Sequence, residues 1–121
     1  MRLSKAEEQL MQYIWQLKKA FMKDLLEAYP EPKPATTTIA TLLKRMRDKG
    51  YIDYTLYGKS REYRPLISKE DYSSKQMKGF IKSFFNDSAS QFASFFTQQA
   101  DLSKEELKNL KSIIDDQLKN K

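Results

Sequence analysis

The chain has 121 residues, enough for one domain or for one domain with a small appendage. It contains no cysteine and no histidine, which excludes disulfides, thiolate metal sites, catalytic thiols and the usual general base near neutral pH. The formal net charge of +6 favours an acidic partner, such as a nucleic acid or a membrane surface. With three glycines and no familiar catalytic spacing, we expect no enzyme, no metal and no cofactor.

Two short helices are predicted at the start of the chain. Ser4 and Glu7 have the S-x-x-E spacing of a capping box, and apolar residues follow at helical spacing over 5–18. Residues 20–21 are expected to form a connector, and a second helix is predicted over 22–29. Because the N-terminus lacks the apolar core of a signal peptide, we expect a cytoplasmic protein.

A third helix is predicted over 36–49, in the stretch TTTIATLLKRMRDKG. Three prolines before it hold the chain extended, a threonine is expected at its N-cap, and Gly50 suits its end. Apolar residues recur at i, i+3, i+4 and i+7, so one face can pack in a core. The opposite face carries hydroxyls and cations: Thr37, Thr38, Thr41, Lys44 and Arg45.

The pattern changes to alternation after this helix and predicts a β-hairpin over 51–57 and 61–66. Its polar turn carries Lys59 and is followed by Arg61, so the tip is basic. Residues 33–64 contain eight Lys or Arg and three Asp or Glu, nearly the whole positive excess of the chain. Three helices followed by a hairpin are typical of a winged helix-turn-helix, in which the third helix and the hairpin face DNA.

DNA binding is the function that this distribution of charge favours, because two basic surfaces on one fold form an electrostatic footprint. A solvated helix face, or a winged module that binds an acidic protein partner without DNA, would explain the same charges. Salt-sensitive binding to duplex DNA discriminates these alternatives. The candidate DNA-binding residues are Thr37, Thr38, Thr41, Lys44, Arg45, Lys59 and Arg61.

The C-terminal part is predicted to be helical, which divides the chain into a winged domain over 1–70 and a helical domain over 71–121. One apolar stripe extends over 72–98, where Asn-Asp-Ser at 86–88 is a candidate break between two helices. A last helix is predicted over 104–118, preceded by a second S-x-x-E capping box. The predicted fold class is therefore mainly α with a small β-hairpin.

The stripe contains too many phenylalanines for a helix that remains exposed, and such patches usually mark interfaces. It could fold back on its own winged domain, or lie on a membrane surface, but pairing with a second copy would complete a core. No run approaches the roughly 18 apolar residues of a membrane span, so we expect no membrane insertion. The candidate homodimer interface consists of Phe80, Phe84, Phe85, Phe92, Phe95, Phe96, Leu107, Leu110 and Ile114.

Five segments in order give the chain a resemblance to a known family. They are LSKAEEQLMQYIW, TTTIATLLKRMRDKGYI, GKSREYRPLISKEDY, FIKSFFNDSASQFASFF and DLSKEELKNLKSII. The match that they mark extends over almost the whole chain, and the second and third segments are specific in combination. On these segments the chain resembles the penicillinase-repressor (BlaI/MecI/CopY) family.

The resemblance implies a homodimeric transcriptional repressor that binds a palindromic operator through helix 36–49 and wing 51–66. It also implies release by a signal on the C-terminal helices, commonly cleavage through a membrane sensor-protease system. The penicillinase branch is cut at an Asn-Phe bond, and this chain has no Asn-Phe pair. The copper-responsive branch has paired cysteines, which are absent here, so the inducing signal stays open.

Overall fold

A computed structural model describes residues 2–121 of the chain, in two units, of which the first ends at Ser73 and the second begins at Ser74. Within the described range the elements are, in chain order, α1 (Lys5–Leu17), β1 (Ala20–Phe21), α2 (Met22–Ala28), α3 (Thr36–Asp48), β2 (Ile52–Tyr57), β3 (Ser60–Pro65), α4 (Lys69–Phe84), α5 (Ala89–Gln99) and α6 (Lys104–Lys119). This mainly helical architecture with one small antiparallel sheet confirms the predicted fold class.

α1 begins at the predicted capping box. The Glu7 N–H donates to Ser4 Oγ at 3.2 Å, and the Ser4 N–H donates to Glu7 Oε1 at 2.7 Å. These two bonds satisfy N–H groups that the helix itself leaves open. The apolar stripe that follows, Leu10, Met11 and Ile14, is fully buried and forms the centre of the core.

α3 packs one face in the same core, and it ends just before Gly50, as the sequence predicts. Ile39, Leu43 and Met46 are buried at the helical spacing read from the sequence. Gly50 has a φ of 86°, its N–H donates to the Arg47 carbonyl, and the next N–H, of Tyr51, donates to the Met46 carbonyl. This is the Schellman arrangement, in which a left-handed glycine lets the chain leave the helix.

The expected threonine cap of α3 is wrong. Ala35 occupies the N-cap position in an extended conformation, and Thr36 is already the first helical residue. The Ala35 carbonyl accepts the N–H groups of Thr38 and Ile39, so the helix begins at Thr36. This start is one residue earlier than it would be if the Thr36 hydroxyl capped the helix. Among the described residues no side chain therefore caps the first turn.

The sheet has one strand more than the predicted hairpin. β2 and β3 pair antiparallel, with Tyr57 opposite Ser60, so the wing turn has two residues, Gly58 and Lys59. The expected connector at Ala20–Phe21 is instead β1, which pairs with the middle of β3. The sheet order within residues 2–121 is β1-β3-β2, and the extra strand attaches the wing to the helical core.

The start of α4 belongs to the core of the first unit. Tyr72 is buried, and its ring lies 5.7 Å from that of Trp15 and 5.6 Å from that of Tyr51. The Tyr72 hydroxyl donates to Glu8 Oε2, and burial together with this bond raises the pKa of Tyr72. The Trp15 indole N–H donates to the Ile67 carbonyl at 2.9 Å, consistent with Trp15 as a packing residue.

The second unit is helical throughout. α4 ends at Phe84, and the chain turns through Asn86 and Asp87, which both have left-handed φ angles, so the helix breaks at the candidate position. α6 begins with the predicted capping box between Ser103 and Glu106. None of the described helices is long and apolar enough to cross a membrane.

A buried ion pair connects the first helix to the end of α3. Lys49 Nζ lies 2.6 Å from Glu7 Oε1, and Glu7 is only 1% exposed. Burial raises the pKa of the Glu7 carboxyl, but hydrogen bonds from Lys49 and Ser4 outweigh it and leave the pKa below its usual value. The pair therefore holds a charged carboxylate inside the fold.

We expect Lys49→Met to lower the free energy of unfolding by about 3 kcal/mol, because it leaves the Glu7 carboxylate buried without its cation. Urea denaturation at pH 7 measures the change. Lys44→Met is the matched control, since the Lys44–Asp48 pair on the same helix is exposed, and it should change stability little. Equal effects of the two substitutions would contradict a structural role for the Glu7–Lys49 pair.

Candidate nucleic-acid interface

The face of α3 that points away from the core is exposed along its length. Its residues are those that the helical spacing predicts: Thr37, Thr38, Thr41, Lys44 and Arg45. The uncapped first turn adds N–H groups that can bind water or a phosphate oxygen. Hydroxyls, cations and N–H donors therefore share one surface of this helix.

The three threonines differ in the bonds they can offer. Thr41 Oγ1 donates to the Thr37 carbonyl at 3.0 Å, so its hydroxyl proton is already used within the helix. Its methyl group and lone pairs remain, which suits a thymine methyl or a base donor. The hydroxyls of Thr37 and Thr38 have no partner among residues 2–121, so each can still donate and accept.

The two predicted cations of α3 are both accessible. Lys44 Nζ lies 3.2 Å from Asp48 Oδ2, but these side chains are 80% and 63% exposed, so water screens the pair. The Arg45 guanidinium forms no ion pair or hydrogen bond within the described part of the chain. Arg45 is thus the α3 cation that is most free to bind a base or a phosphate.

The wing presents two more cations in different ways. Gly58, with a φ of 62°, opens the two-residue turn, and Lys59 extends from it into solvent. The Arg61 guanidinium lies 4.6 Å from the centre of the Tyr54 ring. A hydrogen bond with the Tyr63 side chain is the main cause that raises the pKa of Arg61. Arg61 is therefore held against the wing, whereas Lys59 is free.

Two cavities border the wing. One, of about 470 Å³, lies between α3 and the wing, and it brings together three of the predicted residues, Thr41, Lys44 and Arg61. The other, of about 680 Å³, contains Lys59 and Arg61 in its lining. The remaining predicted residues, Thr37, Thr38 and Arg45, line neither cavity.

The angular positions of residues around α3 explain why some of the predicted residues line a cavity and others do not. Successive residues of an α-helix are about 100° apart, so Arg45 and Arg47 point about 160° away from each other. Arg47 lines the cavity beside the wing, and Arg45 lies on the far flank of the exposed face. The candidate surface therefore consists of the exposed face of α3, which has a cation on each flank, and of the wing, which lies beside the flank that carries Arg47.

Arg47, together with two wing residues, forms a junction that the sequence did not indicate. Arg47 Nε donates to Asp53 Oδ1 at 2.9 Å, and Arg64 Nη2 lies 3.8 Å from Asp53 Oδ2. The bond from Arg47 is the main cause that lowers the pKa of Asp53. Arg47 also lies 4.6 Å from the centre of the Tyr54 ring. No local pattern marks these residues, because the pairing joins a helix to a strand.

Two further cations of the basic segment serve the fold itself. Lys49 is paired with buried Glu7. Lys33 Nζ donates to three carbonyl oxygens at the end of α2, those of Leu26, Glu27 and Tyr29, at 2.7–3.3 Å. A cation there compensates carbonyls that the helix leaves unbonded. The eight cations of residues 33–64 are therefore not equally available to a partner.

The second unit presents the predicted apolar residues without a core of its own. Neither α5 nor α6 contains a buried residue. The rings of Phe80, Phe85 and Phe92 contact one another at centroid distances of 5.6–6.4 Å. Most of the predicted interface is nevertheless exposed, and the exposed fraction of Phe84 reaches 71%. The exposed members are Phe80, Phe84, Phe95, Phe96, Leu107 and Ile114. The half-buried members are Phe85, Phe92 and Leu110.

Three helices completed by a wing define the first unit as a winged helix-turn-helix domain. Residues 3–116 match the family model described as penicillinase repressor, and the chain therefore belongs to the penicillinase repressor family. Its members are transcriptional repressors, and the expectation that the chain is not an enzyme is confirmed by this membership.

The chain is similar to known proteins over nearly its whole length. The methicillin resistance regulatory protein MecI of Staphylococcus aureus (strain N315) is 30% identical over 113 residues, which cover 93% of this chain and 92% of that protein. The penicillinase repressor of Bacillus licheniformis is 25% identical over 116 residues, covering 95% and 91%. The solution structure of the DNA binding domain of the repressor BlaI matches 59% of this chain and 88% of its own, with 26% identity and a TM-score of 0.52.

Proposed function

We propose that this chain is a homodimeric transcriptional repressor that works in the cytoplasm and binds a palindromic DNA operator. In this proposal the first unit is the DNA-binding domain, with α3 as the recognition helix and β2–β3 as the wing. The second unit is the dimerisation domain. The chain's membership in a repressor family supports the regulatory role, and its own side chains support the choice of surfaces.

One observation carries the DNA-binding part: within residues 33–64, the cations that the fold leaves without a strong partner lie on the exposed face of α3 and on the wing. Lys44, Arg45 and Lys59 remain available after Lys33 and Lys49 are engaged by the fold, and Arg61 is held on the wing against Tyr54. A helix of this kind fits the major groove of B-DNA, and a neighbouring wing can reach the backbone.

Binding would then have two layers. Lys44 and the wing cations would neutralise phosphates, which gives affinity and salt dependence but little sequence information. Arg45 would read a guanine edge, and the threonines would contact a thymine methyl or another base edge. The groove between α3 and the wing, with Thr41 and Arg61 on its walls, is where a DNA strand would run.

The composition of the second unit supports the dimer. Its helices expose large apolar side chains and bury none of them within α5 and α6, so the unit lacks the core that a stable domain needs. Pairing of identical apolar faces about a two-fold axis would supply that core. It would also place two recognition helices at half-sites about one DNA turn apart.

Release would follow from any signal that separates the two subunits. Two linked binding domains hold an operator far more tightly than one, because the second contact is intramolecular. Cleavage or another change within α4–α6, such as one made by a membrane sensor-protease system, would lower operator affinity without altering the DNA-binding surface. The exposed turn at Asn86 and Asp87 joins two of these helices.

We expect Arg45→Ala to weaken binding to the operator by about 1–3 kcal/mol and to weaken binding to random DNA much less, because a base contact is lost. Fluorescence anisotropy with both duplexes measures the two affinities. Arg45→Lys is the matched control: it keeps the charge but loses the bidentate geometry, so it should retain random binding and lose operator preference. Equal weakening on both duplexes would show that Arg45 only contacts phosphate.

Lys59→Ala should weaken binding to operator and random DNA about equally. It should also reduce the slope of log affinity against log salt by about 0.9, the value expected for one phosphate contact. A salt titration of both duplexes gives the slope. Lys108→Ala, on exposed α6, removes the same charge from the second unit and should leave the slope unchanged. An unchanged slope in Lys59→Ala would mean that the wing does not lie on the DNA.

Phe84→Glu should convert the dimer to a monomer and lower operator affinity steeply, because it places a charge in the apolar interface. Sedimentation equilibrium distinguishes the chain mass of 14.3 kDa from twice that value. Lys82→Glu is the control, since it lies about 160° around the same helix and should leave the dimer intact. A wild-type monomer, or a Phe84→Glu dimer, would contradict the proposed interface.

A further inference from the structure

One carboxylate of the wing binds two arginines, of which Arg47 borders the candidate DNA surface. Asp53 Oδ1 accepts from Arg47 Nε at 2.9 Å and from the Tyr54 N–H at 2.8 Å. Asp53 Oδ2 lies 3.8 Å from Arg64 Nη2, and Arg64 stands directly opposite Asp53 in the β2–β3 register. Both oxygens of a single acidic group are therefore committed to cations and a backbone donor.

The two arginines are further fixed by their other contacts. Arg47 lies over the Tyr54 ring, and Arg64 Nη1 donates to Thr55 Oγ1 at 3.1 Å. Each guanidinium thus has two partners within the wing. A single exposed ion pair holds a side chain weakly, but several charges that form a network with additional hydrogen bonds hold their side chains more firmly.

Without Asp53, Arg47 would add to the cationic surface that is proposed to face DNA. Arg47 lines the groove between α3 and the wing, beside Lys44 and Arg61. An arginine there that is free to rotate can bind any phosphate, and such contacts strengthen binding to every sequence alike. Specificity is the difference between the affinities for operator and random DNA, so a uniform gain leaves selectivity unchanged and instead makes the chain bind DNA of any sequence more tightly.

We propose that Asp53 is a positioning residue that holds Arg47 on the wing and so withholds it from DNA phosphates, which limits the sequence-independent affinity for DNA. The proposal deepens the proposed function and rests on it, because it assumes that the groove faces DNA. Asp53 acts through Arg47 and touches no DNA itself. Its effect therefore appears in the salt dependence of binding rather than in a lost contact.

The test is a salt titration of the full chain with a random 30-bp duplex between 50 and 200 mM KCl. We expect Asp53→Asn to steepen the slope of log affinity against log salt by about 0.9, because it releases Arg47 to bind one phosphate. The loss of affinity across that salt range would then grow by about 3.5-fold. The ratio of affinities for operator DNA and for the random duplex should stay close to that of the wild type, because the added contact is independent of sequence.

Glu62→Gln is the matched control for charge. Glu62 is also in the wing, on β3 opposite Thr55, and it has no ion pair among the described residues. The substitution raises the net charge by the same amount but releases no arginine, so the slope should stay close to that of the wild type. Equal slopes in Asp53→Asn and Glu62→Gln would overturn the proposal.

Arg47→Gln alone provides a second variant, whose result does not depend on the stability of Asp53→Asn. If Asp53 withholds Arg47, Arg47→Gln alone should leave the salt slope unchanged. Added to Asp53→Asn in a double variant, it should reduce the steepening of the slope by about 0.9. A slope that Arg47→Gln alone reduces would show that Arg47 already binds phosphate, and would overturn the proposal. A wild-type chain that binds no duplex at all would instead overturn the proposed function, and the Asp53 proposal with it.

Discussion

The buried ion pair between Glu7 and Lys49 is the interaction on which the geometry of the first unit depends. The Glu7 carboxylate closes the capping box of α1, and it also receives the lysine at the end of α3. The apolar stripe of α3 determines which face of the helix is buried, but a stripe alone permits sliding and rotation. A short bond to a desolvated carboxylate allows neither, because a buried charge without its partner is strongly destabilising. The exposed face of α3 is thereby held in one orientation.

Some cations of the basic segment stabilise the fold, and others face outward. This difference explains how the segment can form a selective surface. Lys33 and Lys49 stabilise α2 and α3, and the Arg47–Asp53 pair attaches the wing to α3. Total charge attracts DNA of any sequence, whereas selectivity needs a few groups at fixed positions. A fold that engages half of the eight cations of residues 33–64 internally keeps the attraction moderate and leaves the others to make directed contacts.

Local features of the chain were predictable from its sequence, and non-local ones were not. The capping box at Ser4, the stripe of α3 and the end at Gly50 depend on residues within one or two turns of each other, so spacing alone indicates them. β1 has only two residues, too few for alternation, and its partner Tyr63 is more than 40 positions away. The pairing of Arg47 with Asp53 likewise joins different elements. The candidate surface could therefore be located from its exposed cations, but the contacts that position the wing could not.

Dimeric operator binding is tested most directly by the stoichiometry of the complex on the DNA upstream of the protein's own gene. A gel shift with excess random competitor shows selectivity, and the mass of the isolated complex in solution shows how many chains it contains. A dimeric repressor should give one discrete complex that survives the competitor and contains two chains per duplex. A smear that random DNA removes, or a discrete complex with a single chain, would contradict a dimeric operator-binding repressor.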